Sequence, residues 1–471
     1  MAYGSSRRYA PGDDGAIRGG RNGSPSDGLN HGALPSRPPG RRSEVWLAQV
    51  TKAFLAILRV FLFDLPGLSV IQSVASYAIK DGMNEGEVSY WPRRVHYGAG
   101  SLSRLGSIVK SLGGNRVMVI CGQTVASGAM LEKVRSALGE HYVGAFTDVR
   151  AQTPLPELSR AASEVRANGA DTLVSVGGGS AIDAAKGVVL YSATNGDLLP
   201  YSIQYAAKGM ERRRLGTSPF LHIAVPTTAG SGSDVMPTAG IRDPQQGKKI
   251  LFWDDRLVPD ATILDPEMAV HAGARLTAAS GMTAVARSIE ALYSKHRNPM
   301  STGLALHSAR LLLKWLPVAV KHPGDLEARQ NCQMACAMAS TASLNAMASL
   351  VHPLGHIFGG RYGLQHGVAH AILLPPSIRR LLPCIGTDYN DVMDALGCPK
   401  ASSSQEAADL ACGALSALLH SLPLPQSLKD VGVKHEELAS IASAASREYM
   451  LSSLPIALTP ADIERVLQEA W

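Results

Sequence analysis

Residues 172–190, TLVSVGGGSAIDAAKGVVL, limit what this chain can fold into more than any other stretch. A short apolar run meets three glycines and continues into an Ala-rich segment, a pattern that predicts a buried strand, a tight turn and a helix. The runs at 116–122 and 221–234 repeat the strand-then-turn pattern. Strands that alternate with helices predict an α/β fold, in which helices cover both faces of a parallel sheet.

The strand signals stop near residues 264–266, and the remainder has helical spacing. Helices are predicted over 278–295, 302–316 and 325–348, followed by the histidine-bearing stretch and further amphipathic segments. We therefore expect an α/β domain over residues 83–267 and an all-α domain over 268–471. The cleft between two such domains is the default place for a ligand.

Residues 1–82 differ in composition from the rest. Residues 1–45 are rich in Gly, Ser, Pro and Arg and poor in apolar residues, so we expect disorder there. The apolar run at 54–70 is interrupted by Arg59, Asp64 and Pro66, which disfavours a transmembrane span and leaves an amphipathic helix open. Acidic residues near the start count against a transit peptide. An alternative is that the catalytic part begins near Met83.

The bulk composition excludes several classes of protein. Of the 471 residues, 45% are hydrophobic and 18% are charged, as in a globular protein. The formal charge of +6 owes much to the first 60 residues, so no nucleic-acid partner is expected. The six cysteines are scattered, and Cys332 and Cys336 have helical spacing, so we expect neither disulfides nor a thiolate metal site. A reduced, cytoplasmic location follows.

Four histidines are concentrated in residues 352–370. His352 and His356 are four residues apart, so they share a face of a helix, and His366 and His370 repeat the spacing. We expect the chain to turn at Gly359-Gly360 between them. Any one of these histidines could be an ordinary buried polar residue, but four together predict a pocket lined by imidazoles.

Two glycine-rich loops follow predicted strands. The turn at 177–180, GGGS, opens a helix, where close backbone approach and the helix N-terminus favour a phosphate group. The loop at 227–233, TTAGSGS, adds hydroxyls and flexible backbone at the end of another strand. Together they predict a site for a nucleotide diphosphate, although the usual G-x-G-x-x-G fingerprint is absent.

These segments resemble one known family. GGGSAIDAAK, PTTAGSGSD, LDPEM, AASGMTAVARSIEALYSKHRNP and the histidine stretch are similar to the iron-containing (group III) alcohol dehydrogenase superfamily, over about residues 90–471. The histidine stretch looks most like the maleylacetate reductases, whereas Asp183 and PTTAGSGS look more like the alcohol dehydrogenases. The resemblance implies a Rossmann-like dinucleotide-binding domain, a helical domain, NAD or NADP as cofactor, and a dimer or larger homo-oligomer.

The resemblance also implies which residues bind the cofactor. Gly122 stands where NAD-preferring relatives tend to carry an acidic residue, so NADP is not excluded. The resemblance implies that the pyrophosphate binds at Gly178, Gly179 and Ser180, and that Asp183 lies in the turn of the phosphate helix. It also implies that the nicotinamide side is lined by Thr227, Thr228 and Ser231, and that Lys249 lies near the ribose.

The metal site that the resemblance implies is incomplete. The family's four ligands, one Asp and three His, fall at Thr283, Arg287, His352 and His366. A hydroxyl and a guanidinium make a poor shell for Fe or Zn, so a bound metal is doubtful. We expect Arg287 to take the electropositive role and His356 to donate the proton, with His352 and His366 as alternatives. The competing interpretation is that Arg287 pairs with an acid such as Glu290 and the site is degenerate.

Three functions remain open. The first is an NAD(P)-dependent oxidoreductase that acts on a small carbonyl or alcohol, with an oxo-acid favoured by the maleylacetate reductase resemblance. The second is a dehydrogenase for a hydroxyl of a larger natural product or peptide, and the third is a non-catalytic dinucleotide-binding subunit. Arg297 and Arg361 are further candidates for binding a substrate carboxylate.

Overall fold

The computed structural model describes residues 94–206, 209–228, 230–245, 248–386 and 389–471. Contacts divide the chain into Met1–Glu85 and Gly86–Trp471, and every described residue lies in the second unit. The expectations for residues 1–82, of disorder, an amphipathic helix or a late catalytic start, lie outside the described residues.

Ten strands are described. They are β1 Val95–Tyr97, β2 Val117–Cys121, β3 Tyr142–Phe146, β4 Thr172–Gly177, β5 Gln204–Ala206, β6 Gly209–Glu211, β7 Leu221–Pro226, β8 Thr238–Asp243, β9 Lys248–Trp253 and β10 Ala261–Leu264. Six of them form one parallel sheet in the order β1-β10-β7-β4-β2-β3. The strands predicted at 116–122, 172–177 and 221–226 are β2, β4 and β7. The antiparallel hairpin of β8 and β9 was not anticipated.

Helices cover both faces of this sheet, as predicted. The α/β part contains α1 Leu105–Leu112, α2 Gln123–Ala126, α3 Ala129–Leu138, α4 Leu155–Ala167 and α5 Gly179–Ala193. Met118 and Ile120 of β2 pack with Leu158 of α4, whereas Val119 packs with Val134 of α3. Alternate side chains of a strand point to opposite faces, so a wholly apolar strand such as β2 requires a core on each side.

The sheet order creates a crevice where the dinucleotide is expected. The chain passes from β2 to β3 at one edge, and β4 then pairs with the other side of β2. Ligands of open α/β sheets bind at such a switch point, outside the carboxyl ends of the strands. Gly122 follows β2, Gly178 follows β4 and Thr227 follows β7, so the three loops meet at this edge.

The rest of the chain is helical after β10, as predicted. The helices are α6 Pro266–Ala269, α7 Ala274–Tyr293, α8 Pro299–Lys321, α9 Leu326–Ala346, α10 Val351–Tyr362, α11 His366–Leu381, α12 Tyr389–Leu396, α13 Ser404–His420, α14 Leu438–Ala445 and α15 Pro460–Glu469. Three predicted helices correspond to α7, α8 and α9, but α8 continues through Pro317 to Lys321. Asp265 accepts a hydrogen bond of 3.0 Å from the amide of Glu267 and so caps α6.

The turn between the histidine-bearing helices is not where the sequence placed it. Helix α10 runs through Gly359 and Gly360, and the chain reverses at Gly363, whose φ of 66° is left-handed. The expected turn at Gly359-Gly360 was therefore wrong. Glycine is tolerated inside a helix, and only the position after the last helical residue needs the left-handed conformation.

In the described part of the chain no single helix is long and apolar enough to cross a membrane. One bent pair, α9 with α10, meets the length and composition criteria together, with an angle of 106° between the two helices.

Candidate active site

Helix α7 lies at the centre of the candidate site, because two other segments pack closely against it. A Cβ on Gly230 would lie 1.5 Å from the carbonyl oxygen of Ser280, and one on Gly367 would lie 1.6 Å from that of Ala279. Both glycines therefore let the backbone of a neighbour touch α7 directly. One places the loop after β7 against α7, and the other places the first turn of α11 there.

The two glycine-rich loops lie in contact, as the nucleotide prediction requires. A Cβ on Gly178 would lie 3.4 Å from Cγ2 of Thr228, and one on Gly179 would lie 2.9 Å from Cβ of Ser231. Gly178 precedes α5 and provides no side-chain cap. The first amides of α5 lack helical acceptors, so they are available to an anion at this edge.

Ser180 is held by a strained segment. The amide of Gln152 donates to Oγ of Ser180 at 3.1 Å, and the Thr153 hydroxyl donates to its carbonyl oxygen at 2.9 Å. Gln152 and Thr153 both have left-handed φ values, 65° and 52°. Such values cost free energy in residues other than glycine, so the surrounding contacts must hold this segment beside Ser180.

Two side chains of α5 anchor the β8–β9 hairpin. Asp183 accepts a hydrogen bond of 3.1 Å from the amide of Gly240, and the buried Lys186 donates to the carbonyls of Met236 at 2.6 Å and Thr238 at 2.8 Å. Burial lowers the pKa of Lys186 to about 8. The sequence assigned Asp183 to the phosphate helix, and in the structure it fixes the hairpin next to that helix.

The hairpin carries Lys249 toward the histidines. A Cβ on Gly240 would lie 2.0 Å from Cε of Lys249, so the lysine stem lies across this glycine. The Lys249 charge contributes, after burial, to a lowered pKa of both His356 and His366. Lys249 is therefore a cation at the edge of the histidine region.

The four histidines come together, as predicted, in what we call the histidine cluster: His352, His356, His366 and His370. The ring centroids of His352 and His370 are 4.3 Å apart, those of His366 and His370 are 6.0 Å apart, and those of His356 and His366 are 5.3 Å apart. His352 and His370 are buried, whereas His356 and His366 are partly exposed.

Burial keeps the histidine cluster neutral. It lowers the pKa of His356 to about 3 and holds the pKa values of His352, His366 and His370 well below the ordinary value. Neighbouring positive charges, including that of Arg287, add to the effect. At neutral pH these imidazoles are consequently proton acceptors rather than cations.

Arg287 is tethered at the base of the cluster. Its Nη1 donates to the carbonyl of Ser231 at 2.9 Å, to the Ser340 hydroxyl at 2.9 Å and to the carbonyl of Gly230 at 3.4 Å. Burial lowers the pKa of Arg287, yet a guanidinium remains charged in proteins. Among the described residues it forms no ion pair, so its charge is not neutralised by a carboxylate contact.

Glu290 is the residue that the sequence reading missed. The sequence suggests it as a possible partner for Arg287, but its Oε2 contacts Nδ1 of His352 instead. Glu290 lies three residues after Arg287, on the face of α7 that also carries Thr283. That spacing was a visible signal of its proximity to the site.

The residues at the family's ligand positions do not fit a metal. The Thr283 hydroxyl is turned back to the carbonyl of Ala279, 3.4 Å away, and Arg287 places a fixed positive charge beside His352. In the described ranges, no group of three or more His, Cys, Asp or Glu side chains is arranged to hold a metal ion. This donor set repels a cation rather than binding one.

The two arginines suggested for a substrate carboxylate have other partners. Arg297 forms an ion pair with Asp391 at 2.6 Å and also donates to the carbonyl of Leu292 at 2.8 Å. The exposed Arg361 donates to the Ser440 hydroxyl at 3.0 Å. All six cysteines are free, in line with the sequence.

Comparisons with known proteins agree with this architecture. A family model for iron-containing alcohol dehydrogenase matches residues 92–266, and one for the C-terminal part of the Fe-containing alcohol dehydrogenase family matches residues 277–471. 1,3-Propanediol dehydrogenase of Citrobacter freundii is 30% identical over 385 residues, which are 81% of this chain and 97% of that protein. The crystal structure of 1,3-propanediol oxidoreductase matches with a TM-score of 0.76 and 27% identity, over 82% of this chain and 100% of that one.

The chain is also similar to a maleylacetate reductase, the group that its histidine stretch resembles. Maleylacetate reductase 2 of Cupriavidus pinatubonensis is 34% identical over 247 residues, which are 52% of this chain and 60% of that protein. The match thus spans less than two thirds of that relative. The two family models cover both the α/β part and the helical part. The chain therefore belongs to the iron-containing alcohol dehydrogenase family.

Proposed function

We propose that this protein is an NAD(P)-dependent oxidoreductase that interconverts a carbonyl and an alcohol on a small molecule, with Arg287 in place of a metal ion. Family membership supports the reaction class. The replacement of the metal by Arg287 is supported by one observation. Hydrogen bonds from Nη1 of Arg287 to Ser231 and Ser340 hold the guanidinium beside the histidine cluster.

The dinucleotide site follows from the loop contacts. The amides of Gly178, Gly179 and Ser180 open α5 and would bind the pyrophosphate, and Lys249 would contact the ribose. Thr228 and Ser231 lie next to that turn and Gly230, between them, touches α7, which supports binding of the nicotinamide beside Thr227, Thr228 and Ser231. The nicotinamide, when bound, supplies or accepts the hydride.

Arg287 would stabilise the oxygen atom that changes charge. Hydride transfer to a carbonyl carbon builds negative charge on the oxygen, and a guanidinium that is already held in place stabilises that charge without reorganisation. In the described part of the chain, all bonds of Arg287 come from Nη1, so its other two nitrogens are left to donate to a substrate oxygen.

The proton would be exchanged with the histidine cluster. Two of its members are the main candidates: His356, where the family's non-ligand histidine falls, and His352, whose Nε2 has no hydrogen-bond partner among the described residues. Burial lowers the pKa of His356 to about 3 and holds that of His352 well below the ordinary value, so both are neutral imidazoles that can accept the hydroxyl proton when an alcohol is oxidised. His366 is the alternative.

Charge favours an anionic substrate. Lys249 and Arg287 both place positive charge near the histidine cluster, whereas Glu290, the carboxyl group in contact with it, is directed at Nδ1 of His352. An excess of positive charge at a partly closed site attracts carboxylates, so we propose an oxo-acid or its hydroxy-acid product as the substrate class.

The test is a screen of the purified protein with NADH and NADPH against aldehydes, ketones and oxo-acids, followed by absorbance at the nicotinamide band. Arg287→Ala should lower kcat/KM roughly 100-fold or more, as removal of an oxyanion donor does elsewhere, and should leave dinucleotide binding intact. Arg310→Ala, which removes an exposed guanidinium of α8 that donates to the carbonyl of Asp394, is the matched control. Unchanged turnover of Arg287→Ala, or stoichiometric iron or zinc required for turnover, would overturn the proposal.

A further inference from the structure

Glu290 is a buried carboxyl group with a complete set of donors. Its Oε1 accepts hydrogen bonds from the amide of Val351 at 2.8 Å, the Ser349 hydroxyl at 3.0 Å and the Ser349 amide at 3.2 Å. Its Oε2 contacts Nδ1 of His352. The Tyr293 hydroxyl lies 3.1 Å from Oγ of Ser349 and extends the network. This is the pattern of an ionised carboxylate, which only accepts.

The contact fixes the proton on the His352 ring. With Glu290 accepting at Oε2, Nδ1 carries the proton and Nε2 keeps its lone pair on the opposite edge of the ring. Nε2 of His352 is buried and has no hydrogen-bond partner among the described residues. The ring centroid lies 4.3 Å from that of His370, so His352 belongs to the histidine cluster while Glu290 holds its Nδ1 edge. A buried nitrogen without a partner costs free energy and is unusual unless it serves a function.

We propose that Glu290 is a positioning residue that holds His352 in the Nδ1–H tautomer, so that the Nε2 lone pair is available to the reacting hydroxyl group beside Arg287. The inference deepens the proposed function and rests on it for the identity of the reaction. It assigns no direct contact between Glu290 and the substrate, because the carboxylate is fully buried behind His352.

A purely structural role can be separated from this one by an isosteric change. In Glu290→Gln the amide oxygen still accepts from Val351 and Ser349, so the start of α10 keeps its bonds. The amide NH₂ group, however, donates toward His352, and Nδ1 must then accept. The proton moves to Nε2, and the lone pair on that nitrogen is lost. A structural role would leave turnover unaffected by this exchange.

The experiment records the ring nitrogens of His352 by NMR in full-length protein labelled with ¹⁵N-histidine, with the His352 signals assigned by their loss in His352→Gln. We expect Nδ1–H in the wild type and Nε2–H in Glu290→Gln. With any substrate that turns over, we expect kcat to fall roughly 100-fold or more in Glu290→Gln while KM for the dinucleotide stays within about twofold, since a wrong tautomer slows the proton transfer rather than binding. Tyr293→Phe, which alters the same buried network without touching His352, should retain the wild-type tautomer.

Several results would overturn the inference. An Nε2–H tautomer in the wild type would do so without any variant, which covers the case in which Glu290→Gln does not fold. A Glu290→Gln protein that keeps Nδ1–H, or keeps wild-type kcat, would do so as well. The spectra decide the tautomer even if no substrate is found, whereas a failure of every substrate to react counts against the proposed function alone.

Discussion

Gly122 shows how one missing side chain bears on cofactor choice. It follows β2 at the switch point, where a Cβ would lie 2.9 Å from the carbonyl oxygen of Val149. An acidic residue there repels the 2′-phosphate of NADP, and glycine does not. The crowding by Val149 means that any side chain at this position requires a small backbone adjustment, whatever its charge.

We expect Gly122→Asp to lower kcat/KM with NADPH relative to NADH by about tenfold or more, through the repulsion of two negative charges. Gly122→Asn is the matched control, because it introduces the same crowding without the charge. The measurement is the ratio of kcat/KM values for the two cofactors in each variant. An equal change of that ratio in both variants would show that crowding, rather than charge, decides the preference.

At single positions, spacing along one helix was informative and contacts between distant segments were not. His352 and His356, or Thr283 and Arg287, could be placed on common faces from their four-residue spacing. The partner of Glu290 could not be chosen in this way, because His352 is 62 residues away in sequence. Whether Glu290 meets an arginine or a histidine depends on how α10 crosses α7, which no local pattern encodes.

Among the elements, the connection between α10 and α11 allows a test of which glycine forms the turn. A left-handed φ is present at Gly363 and absent at Gly360, where a Cβ would meet nothing within 4 Å. The sequence alone does not distinguish these glycines, since each follows a helical apolar pattern. The structure assigns the turn to the second of them.

We expect Gly363→Ala to lower the free energy of unfolding by about 1 kcal/mol, because alanine is strained at positive φ. Gly360→Ala should leave it unchanged or raise it by up to about 1 kcal/mol, because the position is helical and open. Urea unfolding of both variants measures the difference. If Gly360→Ala were the more destabilising of the two, the turn would lie where the sequence first suggested.

Other elements escaped the sequence reading for identifiable reasons. The β8–β9 hairpin lacks a long apolar run, and its place is set by Asp183 and Lys186, which bind its backbone from α5. The helix predicted over 302–316 stops short of Pro317, a residue that disfavours a helix interior, yet α8 continues through it. Tertiary contacts decide both cases.

At the scale of the whole molecule, the parallel sheet and the change to all-α structure after β10 were predictable from strand spacing alone. The joining of these two parts was not. It depends on Gly230 and Gly367, whose lack of side chains lets the loop after β7 and the start of α11 touch α7. The sequence shows two glycines in small-residue segments, and only the fold shows that both face one helix.

The buried histidines make the stability of the molecule depend on pH. Burial lowers the pKa values of His222 and His356 to about 3, and those of His352, His366 and His370 well below the ordinary value. A histidine has a pKa of about 6.5 in the unfolded chain, so below that pH the unfolded state takes up protons that the folded state does not. Each such group therefore removes stability as the pH falls, by about 1.4 kcal/mol per pH unit.

Glu290 and Asp234 act in the opposite direction, because burial raises their pKa values and the folded state then binds more protons than the unfolded one. The five histidines act together against these two carboxyl groups, so we expect a net loss of stability as the pH falls below 6.5. We expect the midpoint of urea unfolding to fall steeply between pH 7 and pH 5.5.

His222→Gln keeps a hydrogen-bond donor toward Ser175, whose hydroxyl lies 2.8 Å from His222 Nε2, and should make the pH dependence shallower by about one proton. Stability that stays constant or rises over this range would mean that the cluster accepts protons in the folded state, which would contradict the neutral imidazoles on which the proposed proton exchange depends.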